Sequence, residues 1–242
     1  MTLHPLLRTT MGIAASFLPF LDQLHERRLL GGPVLGLGSL ELSGDLAAFA
    51  LAGAPSAGSR RLVGALLRAR YGIDDYRDAD INGLADLHLD LARPIPSELR
   101  GAFATILNAG TLEHLLDLRQ AFTNVHELVR PGGTIIHIAP LSWLEHGFVN
   151  FSVRLFREIA AANGYEIAAE AIWRRDAAVG APGSGGERLC FGPGFDDPAA
   201  SGRSLLPTEL FRLESTPTYL LYLGAFVRRG DAPFAVPVEV GG

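Results

Sequence analysis

Residues 103–140, FATILNAGTLEHLLDLRQAFTNVHELVRPGGTIIHIAP, constrain the fold more than any other stretch, because the hydrophobic period changes twice within them. Phe103 to Leu107 is an unbroken apolar run, which predicts a strand covered on both faces in a parallel sheet. From Thr111 to Val129 the residues Leu112, Leu115, Leu116, Leu118, Phe122, Val125, Leu128 and Val129 recur at helical spacing, predicting a helix with one face on that sheet. Thr111 is placed to cap its start, and Pro131-Gly132-Gly133 to stop it. Thr134 to Ala139 then predicts a second buried strand, closed by Pro140. The stretch therefore reads as a βαβ unit. Ligands of such sheets lie beyond the carboxyl ends of the strands, which puts Asn108, Ala109, Gly110, Glu113 and His114 where a cofactor would be touched.

Upstream, Pro33 to Leu37 predicts another buried strand, followed by Gly38-Ser39-Leu40-Glu41 and an Ala/Leu-rich helix over 44–52. Gly36 and Gly38 allow a close approach of backbone and ligand at this turn. A dinucleotide fingerprint would need its third glycine where Glu41 stands, which disfavours nicotinamide or flavin binding. Arg60 to Arg70 predicts a helix with Leu62, Val63, Leu66 and Leu67 inward and its arginines on a solvated face. Tyr76 to Ile81 predicts the second strand, ending in Asp80-Ile81-Asn82-Gly83, with Asp86 and Asp90 just beyond. An acid at that strand end is well placed to accept from ribose hydroxyls. The same acids, Asp74, Asp75, Asp78 and Asp80, read equally well as a solvated acidic turn.

With 242 residues, 48% of them hydrophobic, the chain can bury a large core, and it divides into an N-terminal helical segment over 1–30 and one domain over 31–242. A formal net charge of -5 argues against a phosphate-tracking nucleic-acid binder. A single cysteine, Cys190, cannot form an internal disulfide, which fits a reducing, cytoplasmic compartment, and it reads as a small buried residue. Met11 to Leu21 is apolar but too short to span a bilayer; Pro19 interrupts it, and charged residues follow at once without a cleavage pattern. It reads as an amphipathic helix packed on the domain. Ser152 is placed to cap a helix running to Asn163-Gly164, Tyr165 to Trp173 predicts a strand, and Tyr219 to Val227 the last core strand. Between them, 174–207 is rich in Gly, Pro, Asp and Ser with no regular element, as expected of a lid or insertion. The tail after Arg229 is expected on the surface or against a second subunit, which admits a homodimer.

The ordered set PVLGLGS, DINGLADLHLDLARPIP, FATILNAGTLEHLLD, LVRPGGTIIHIAP and HGFVNFS resembles a class I S-adenosylmethionine-dependent methyltransferase, in particular the methyltransferase-11-like branch whose motif after the fourth strand ends in Leu-Glu-His. The resemblance covers roughly residues 30–170. It implies an α/β fold: a doubly wound, mostly parallel, seven-stranded Rossmann-like sheet with helices on both faces and the last strand inserted antiparallel beside the fifth. It also implies S-adenosylmethionine as cofactor and S-adenosylhomocysteine as product. Carried over residue by residue, Gly36, Gly38 and Ser39 would line the methionine end. Asp80 with Ile81 would meet the ribose, and Asp90 with Leu91 the adenine. Asn108, Ala109 and Gly110 would lie near the sulfonium, with Glu113 and His114 behind. The family has an acid where Gly36 stands and a further glycine where Leu40 stands.

The implied chemistry is in-line displacement, in which an acceptor atom attacks the methyl of the sulfonium. Positioning alone can supply up to about 7–11 kcal/mol of such a barrier. A base is required only for a protonated acceptor, and histidine titrates in the useful range. His146 is the first candidate and His114 the second, each weighed against a structural role; His126 and His137 read as packing residues. His25-Glu26 and His126-Glu127 begin like a zinc-peptidase helix motif, but Leu29 and Arg130 stand where its second histidine is needed, so no metal site is expected in the chain. Ser39 lacks the flanking glycines of a hydrolase nucleophile elbow. The leading expectation is methyl transfer to a small molecule such as a secondary metabolite, sugar or amino-acid derivative, with no nucleic-acid or membrane partner. The alternatives are a non-catalytic relative that keeps the fold, and a cofactor-retaining enzyme with different chemistry.

Overall fold

The computed structural model describes residues 12–43, 46–49, 51, 61–143, 146–176, 187–190 and 218–238. The chain runs through β1 (Gly12–Ala14), a 3-10 turn, α1 (Leu18–Glu26), β2 (Val34–Leu37), β3 (Glu41–Ser43), a second 3-10 turn (Leu46–Phe49) and α2 (Arg61–Tyr71). Then come β4 (Tyr76–Asp80), β5 (Leu87–His88), β6 (Phe103–Ala109), a 3-10 turn (Leu112–His114), α3 (Leu118–Leu128) and β7 (Val129–Pro140). The remaining elements are α4 (Val153–Ala162), β8 (Tyr165–Asp176), β9 (Glu187–Cys190) and β10 (Thr218–Arg228).

Eight strands form one sheet in the order β5-β4-β2-β6-β7-β10-β8-β9. The pairs from β5 through β7 are parallel, while β10 lies antiparallel between β7 and β8. Without β9, which hangs antiparallel on β8, this is the strand order of the class I methyltransferase fold, with the last strand inserted beside the fifth. The fold class expected from sequence is the one observed.

The unbroken apolar runs follow from burial on both faces: every residue of β2 and of β6 is buried. Alternate residues feed two cores. Val34, Leu107 and Ile136 face Phe20, Leu21 and Leu24 of α1 and Leu62, Val63, Leu66 and Leu67 of α2. Leu35, Ile106 and Ile135 face Phe122, Val125 and Leu128 of α3 and Phe156 and Ile159 of α4. Inside the second core, buried Glu170 accepts from Tyr222 Oη at 2.7 Å and from the Arg157 guanidinium at 2.9–3.2 Å. Arg228 donates to the carbonyls of His126 and Val129 at 2.8 Å each, a cation at the carboxyl end of α3 where the helix dipole favours one.

Several boundaries differ from the sequence expectation. The segment Met11 to Leu21, expected as an amphipathic helix, is helical in α1 only from Leu18, because Gly12–Ala14 forms β1 and pairs with β3; Pro19 lies in the first turn of α1, where its missing N–H costs nothing. Within 44–52, expected as a helix, the described residues Leu46–Phe49 form a 3-10 turn, and just before them β3 pairs in parallel with β1 and buries Leu42 in the first core; residues 44, 45, 50 and 52 lie outside the described residues. The helix expected from Thr111 begins only at Leu118, capped by Asp117, whose carboxylate accepts from Gln120 N. Leu116, expected inward, is 79% exposed. Part of the expected loop over 174–207 is strand: β8 continues to Asp176 and pairs with β9. The rest of it, and the expectation of a buried Cys190 side chain, lie outside the described residues. The tail docks on its own chain, through a reciprocal pair between Asn163 and Ala235 at 2.7 and 2.9 Å and through Ala232 O on His126 Nε2. His126 also meets Tyr165 Oη at 2.7 Å, the structural role expected for it. Among the described residues no helix is long and apolar enough to cross a membrane.

Candidate functional site

In a doubly wound sheet the ligand crevice opens at the carboxyl ends of the strands where the order reverses, here between β2 and β6. The turn after β2 enters it with Gly38 at φ 80°, a conformation that favours glycine, and the Gly38 N–H donates to Ala79 O at 2.7 Å. Asp80 ends the neighbouring strand. Its Oδ2 accepts from Ser39 N and from Asn82 Nδ2, each at 2.9 Å, and Asn82 Nδ2 also donates to Ser39 Oγ at 2.7 Å. The acid thus joins the two strand ends and is held in a fixed orientation while half-buried. Beside it Ile81 is 63% and Leu84 72% exposed, an apolar ledge next to a carboxylate. Asp90 is half-buried, accepts from Ala92 N at 2.9 Å and pairs with Arg93 at the surface. Leu91 turns its side chain into the core, and its carbonyl accepts from buried Asn124.

The glycine block is closed by the chain itself. A Cβ at Gly36 would stand 2.5 Å from Tyr76 Oη and 3.0 Å from Leu40 Cδ1. Leu40, where the family has glycine, is fully buried in the first core. The turn leads into β3 instead of a helix, so among the described residues no α-helix N-terminus directly follows it to favour an anion. Among the described residues Tyr76 Oη is buried without a hydrogen-bond partner, and burial, followed by the charges of Asp78 and Asp86, pushes its phenol far up.

At the end of β6, Asn108 is fully buried and committed internally. Its Oδ1 accepts from Thr111 N at 3.3 Å and Leu112 N at 3.2 Å, and its Nδ2 lies 3.2 Å from His137 Nδ1. Asn108, not Thr111, therefore caps the turn; the Thr111 hydroxyl donates to Leu37 O and ties it to β2. What β6 offers a ligand is the main chain of Ala109 and of half-buried Gly110, at φ 85°. Burial pushes His137 down to about 3, so it stays neutral as a packing residue.

The 3-10 turn Leu112–His114 is where chemistry concentrates. Glu113 is fully buried, and its main-chain O accepts from Phe148 N at 2.8 Å and Val149 N at 3.3 Å. A Cβ at Gly147 would come within 2.8 Å of that same oxygen, so only glycine lets the 146–149 loop sit so close. This clamp brings His146 Nε2 to 3.3 Å from Glu113 Oε1, in close contact without hydrogen-bond alignment, with side chains 3% and 0% exposed. His114 lies edge-on to His146 with ring centroids 5.2 Å apart, and Trp143 stacks on His146 at 3.8 Å and 6°. Burial holds the His114 imidazole below its ordinary value, with Glu113 opposing and His146 adding to the shift. One ligand atom from each of Glu113, His114 and His146 lies within 4.8 Å of the others. The sequence motif that argued against metal ligands tests two histidines on one helix, whereas these side chains come from two separate turns. Trp143 and Tyr76 escaped the sequence reading, since an aromatic three residues before a histidine and a tyrosine opening a strand carry no signal of their own.

No protein-family model matches the chain, and no curated protein matches it. Solved structures do. One, from work on the conversion of a disulfide bond into a thioacetal group during echinomycin biosynthesis, is 16% identical, with 88% of this chain and 83% of that one covered and a TM-score of 0.41. Another is Haemonchus contortus phosphoethanolamine N-methyltransferase 2 with phosphomonomethylethanolamine and S-adenosylhomocysteine, 12% identical over 87% of this chain and 53% of that one, TM-score 0.40. A third is the complex of the Haloferax volcanii Trm112 methyltransferase activator with a methyltransferase, 14% identical over 89% and 94%, TM-score 0.41. At these TM-scores the likeness assigns nothing by itself, and the methyltransferase-type α/β fold rests on the chain's own strand order.

Proposed function

We propose that the chain is a cytoplasmic S-adenosylmethionine-dependent methyltransferase acting on a small-molecule acceptor. The observation that carries this reading is Asp80: a carboxylate fixed at the carboxyl end of β4, at the switch-point crevice, with exposed Ile81 beside it. Such a pair suits a nucleoside, with ribose hydroxyls donating to the acid and the adenine lying on the apolar ledge. Asp90 supplies an acceptor for the adenine amino group, and the main chain of Ala109 and Gly110 borders the sulfonium. His146, backed by Glu113, is first in line to take a proton from the acceptor, and His114 second.

A second reading is favoured by Tyr76 and Leu40, which occupy the ground of the family's acid and glycine: a protein that binds an adenosyl ligand without transferring methyl. Calorimetric titration with S-adenosylmethionine and S-adenosylhomocysteine, followed by a labelled-methyl transfer assay over a panel of small acceptors, separates the two. Methyl transfer supports the first reading. Binding without transfer supports the second, and no binding of either ligand at millimolar concentration removes both.

A further inference from the structure

We infer that Glu113, His114 and His146 form a binding site for a divalent first-row cation, zinc foremost. Glu113 is fully buried, and both of its carboxylate oxygens lack a hydrogen-bond partner among the described residues. His114 Nε2 and His146 Nδ1 are likewise buried and unpartnered. Buried polar groups are nearly always paired, and a shared cation held by one atom of each residue would satisfy Glu113 and His114, with His146 binding through the Nε2 that faces Glu113. A buried carboxylate is the costliest of them, so the group calls for a positive charge, which either a protonated His146 at 3.3 Å or a shared cation supplies.

The donor chemistry fits. Two imidazoles and a carboxylate make up the three-ligand set of catalytic zinc sites, whose fourth position stays free for water or a substrate oxygen. Zinc holds such donors at about 2.0–2.2 Å, which separates two ligands of a tetrahedral ion by roughly 3.4 Å. Glu113 Oε1 and His146 Nε2 stand 3.3 Å apart, and one ligand atom from each of the three residues lies within 4.8 Å of the others. The scaffold is prepared by backbone: the bonds from Phe148 and Val149 to Glu113 O, with Gly147 pressed against them, hold the His146 loop in place independently of the side chains. Trp143 stacked on His146 restrains its ring. With a cation bound, His146 is a ligand and no longer a free base, and an acceptor hydroxyl in the fourth position would have its pKa lowered and release its proton to solvent water. That last role rests on the methyl-transfer reading, whereas the site does not.

The test uses the full chain, stripped with a chelator, dialysed and titrated with zinc chloride by calorimetry, with metal content measured after a second dialysis. One equivalent per chain is expected, together with a rise in melting temperature and, on loading with cobalt, the visible bands of a tetrahedral ion. His114→Ala and His146→Ala should each lower zinc affinity by more than the ~10–100-fold that losing an outer partner costs, and abolish the thermal shift. Their apo circular dichroism reports folding; should one variant fail to fold, the other and Glu113→Gln carry the comparison. The inference is overturned if the wild-type chain retains no stoichiometric zinc, or if a folded His114→Ala/His146→Ala double variant retains it undiminished. It is also overturned if Glu113→Gln stabilises the metal-free protein while zinc has no effect on the wild type, the signature of a carboxyl that is simply protonated. None of these readouts uses S-adenosylmethionine, so failure here and failure of the methyl-transfer reading are distinguishable.

Discussion

Replacing Gly36 with alanine puts the packing of the remodelled glycine block to a quantitative test. The new Cβ would stand 2.5 Å from Tyr76 Oη, 3.2 Å from Tyr76 Cε2 and 3.0 Å from Leu40 Cδ1. Optimal contacts lie near 3.5–4.0 Å, so the overlap with the hydroxyl is about 1 Å. Leu40 is fully buried and Tyr76 Oη is enclosed, so neither can swing into solvent. Overpacking of this kind costs about 1–3 kcal/mol. Tyr76→Phe removes the nearest atom, and with it a buried hydroxyl that has no partner to offset its desolvation. It should therefore stabilise the chain by about 1 kcal/mol. In the Tyr76→Phe background Gly36→Ala should cost at least ~1 kcal/mol less, a coupling measurable by a double-mutant cycle in urea with fluorescence and circular dichroism. In a chain of this size each kcal/mol moves the melting temperature by roughly 2–4 °C. If the two substitutions add to within about 0.5 kcal/mol, the hydroxyl does not fill the space beside Gly36 and the account of the closed methionine end is wrong.

Asn108→Ala removes the acceptor of two turn N–H groups and the partner of His137, and should destabilise by about 2–4 kcal/mol in denaturant unfolding; a loss below ~1 kcal/mol would mean the turn is held otherwise. Arg157→Met strands buried Glu170. Because the Arg157 side chain is 46% exposed, the cost should be about 2 kcal/mol, below the 3–5 of a fully buried pair, and Glu170→Gln in the same background should recover part of it. Acidification should destabilise through His137. Its pKa in the folded state, about 3, lies below the unfolded value of about 6.5, so the unfolded chain binds the extra proton between them. The contribution is fully present above the unfolded value and is lost at up to ~1.4 kcal/mol per pH unit as pH falls through that window. His137→Gln should flatten the slope of stability against pH between about 6 and 4 by close to one proton, and an unchanged slope would contradict the burial of a neutral ring.

The parallel half of the sheet was legible because burial on both faces writes unbroken apolar runs into β2 and β6. Helix ends were legible only where the cap was local: Ser152 accepts from Leu155 N as its position suggests, but the turn after β6 is capped by Asn108 from within the strand, while Thr111 bonds to a different strand. The stretch 44–52 misled because its Ala/Leu content favours helix, whereas Glu41–Ser43 just before it is held as a strand by β1, a partner far away in sequence, and Leu46–Phe49 closes into a 3-10 turn. At the proposed site, the place of Asp80 at the end of a strand was readable from the sequence. The Glu113, His114 and His146 group was readable only as separate candidates, since their convergence depends on the 146–149 loop folding back onto Glu113 O. The fate of the glycine motif was invisible for a related reason: sequence shows that an acid and a glycine are missing, and only packing shows Tyr76 and Leu40 in their place.

The most direct measurement is a crystal structure of the chain grown with saturating S-adenosylhomocysteine. The account predicts ligand density at the crevice between β2 and β6, with ribose hydroxyls on Asp80, adenine over Ile81 toward Asp90, and the sulfur near Ala109 and Gly110. A crevice without ligand, or an adenosyl group bound away from Asp80, would contradict it.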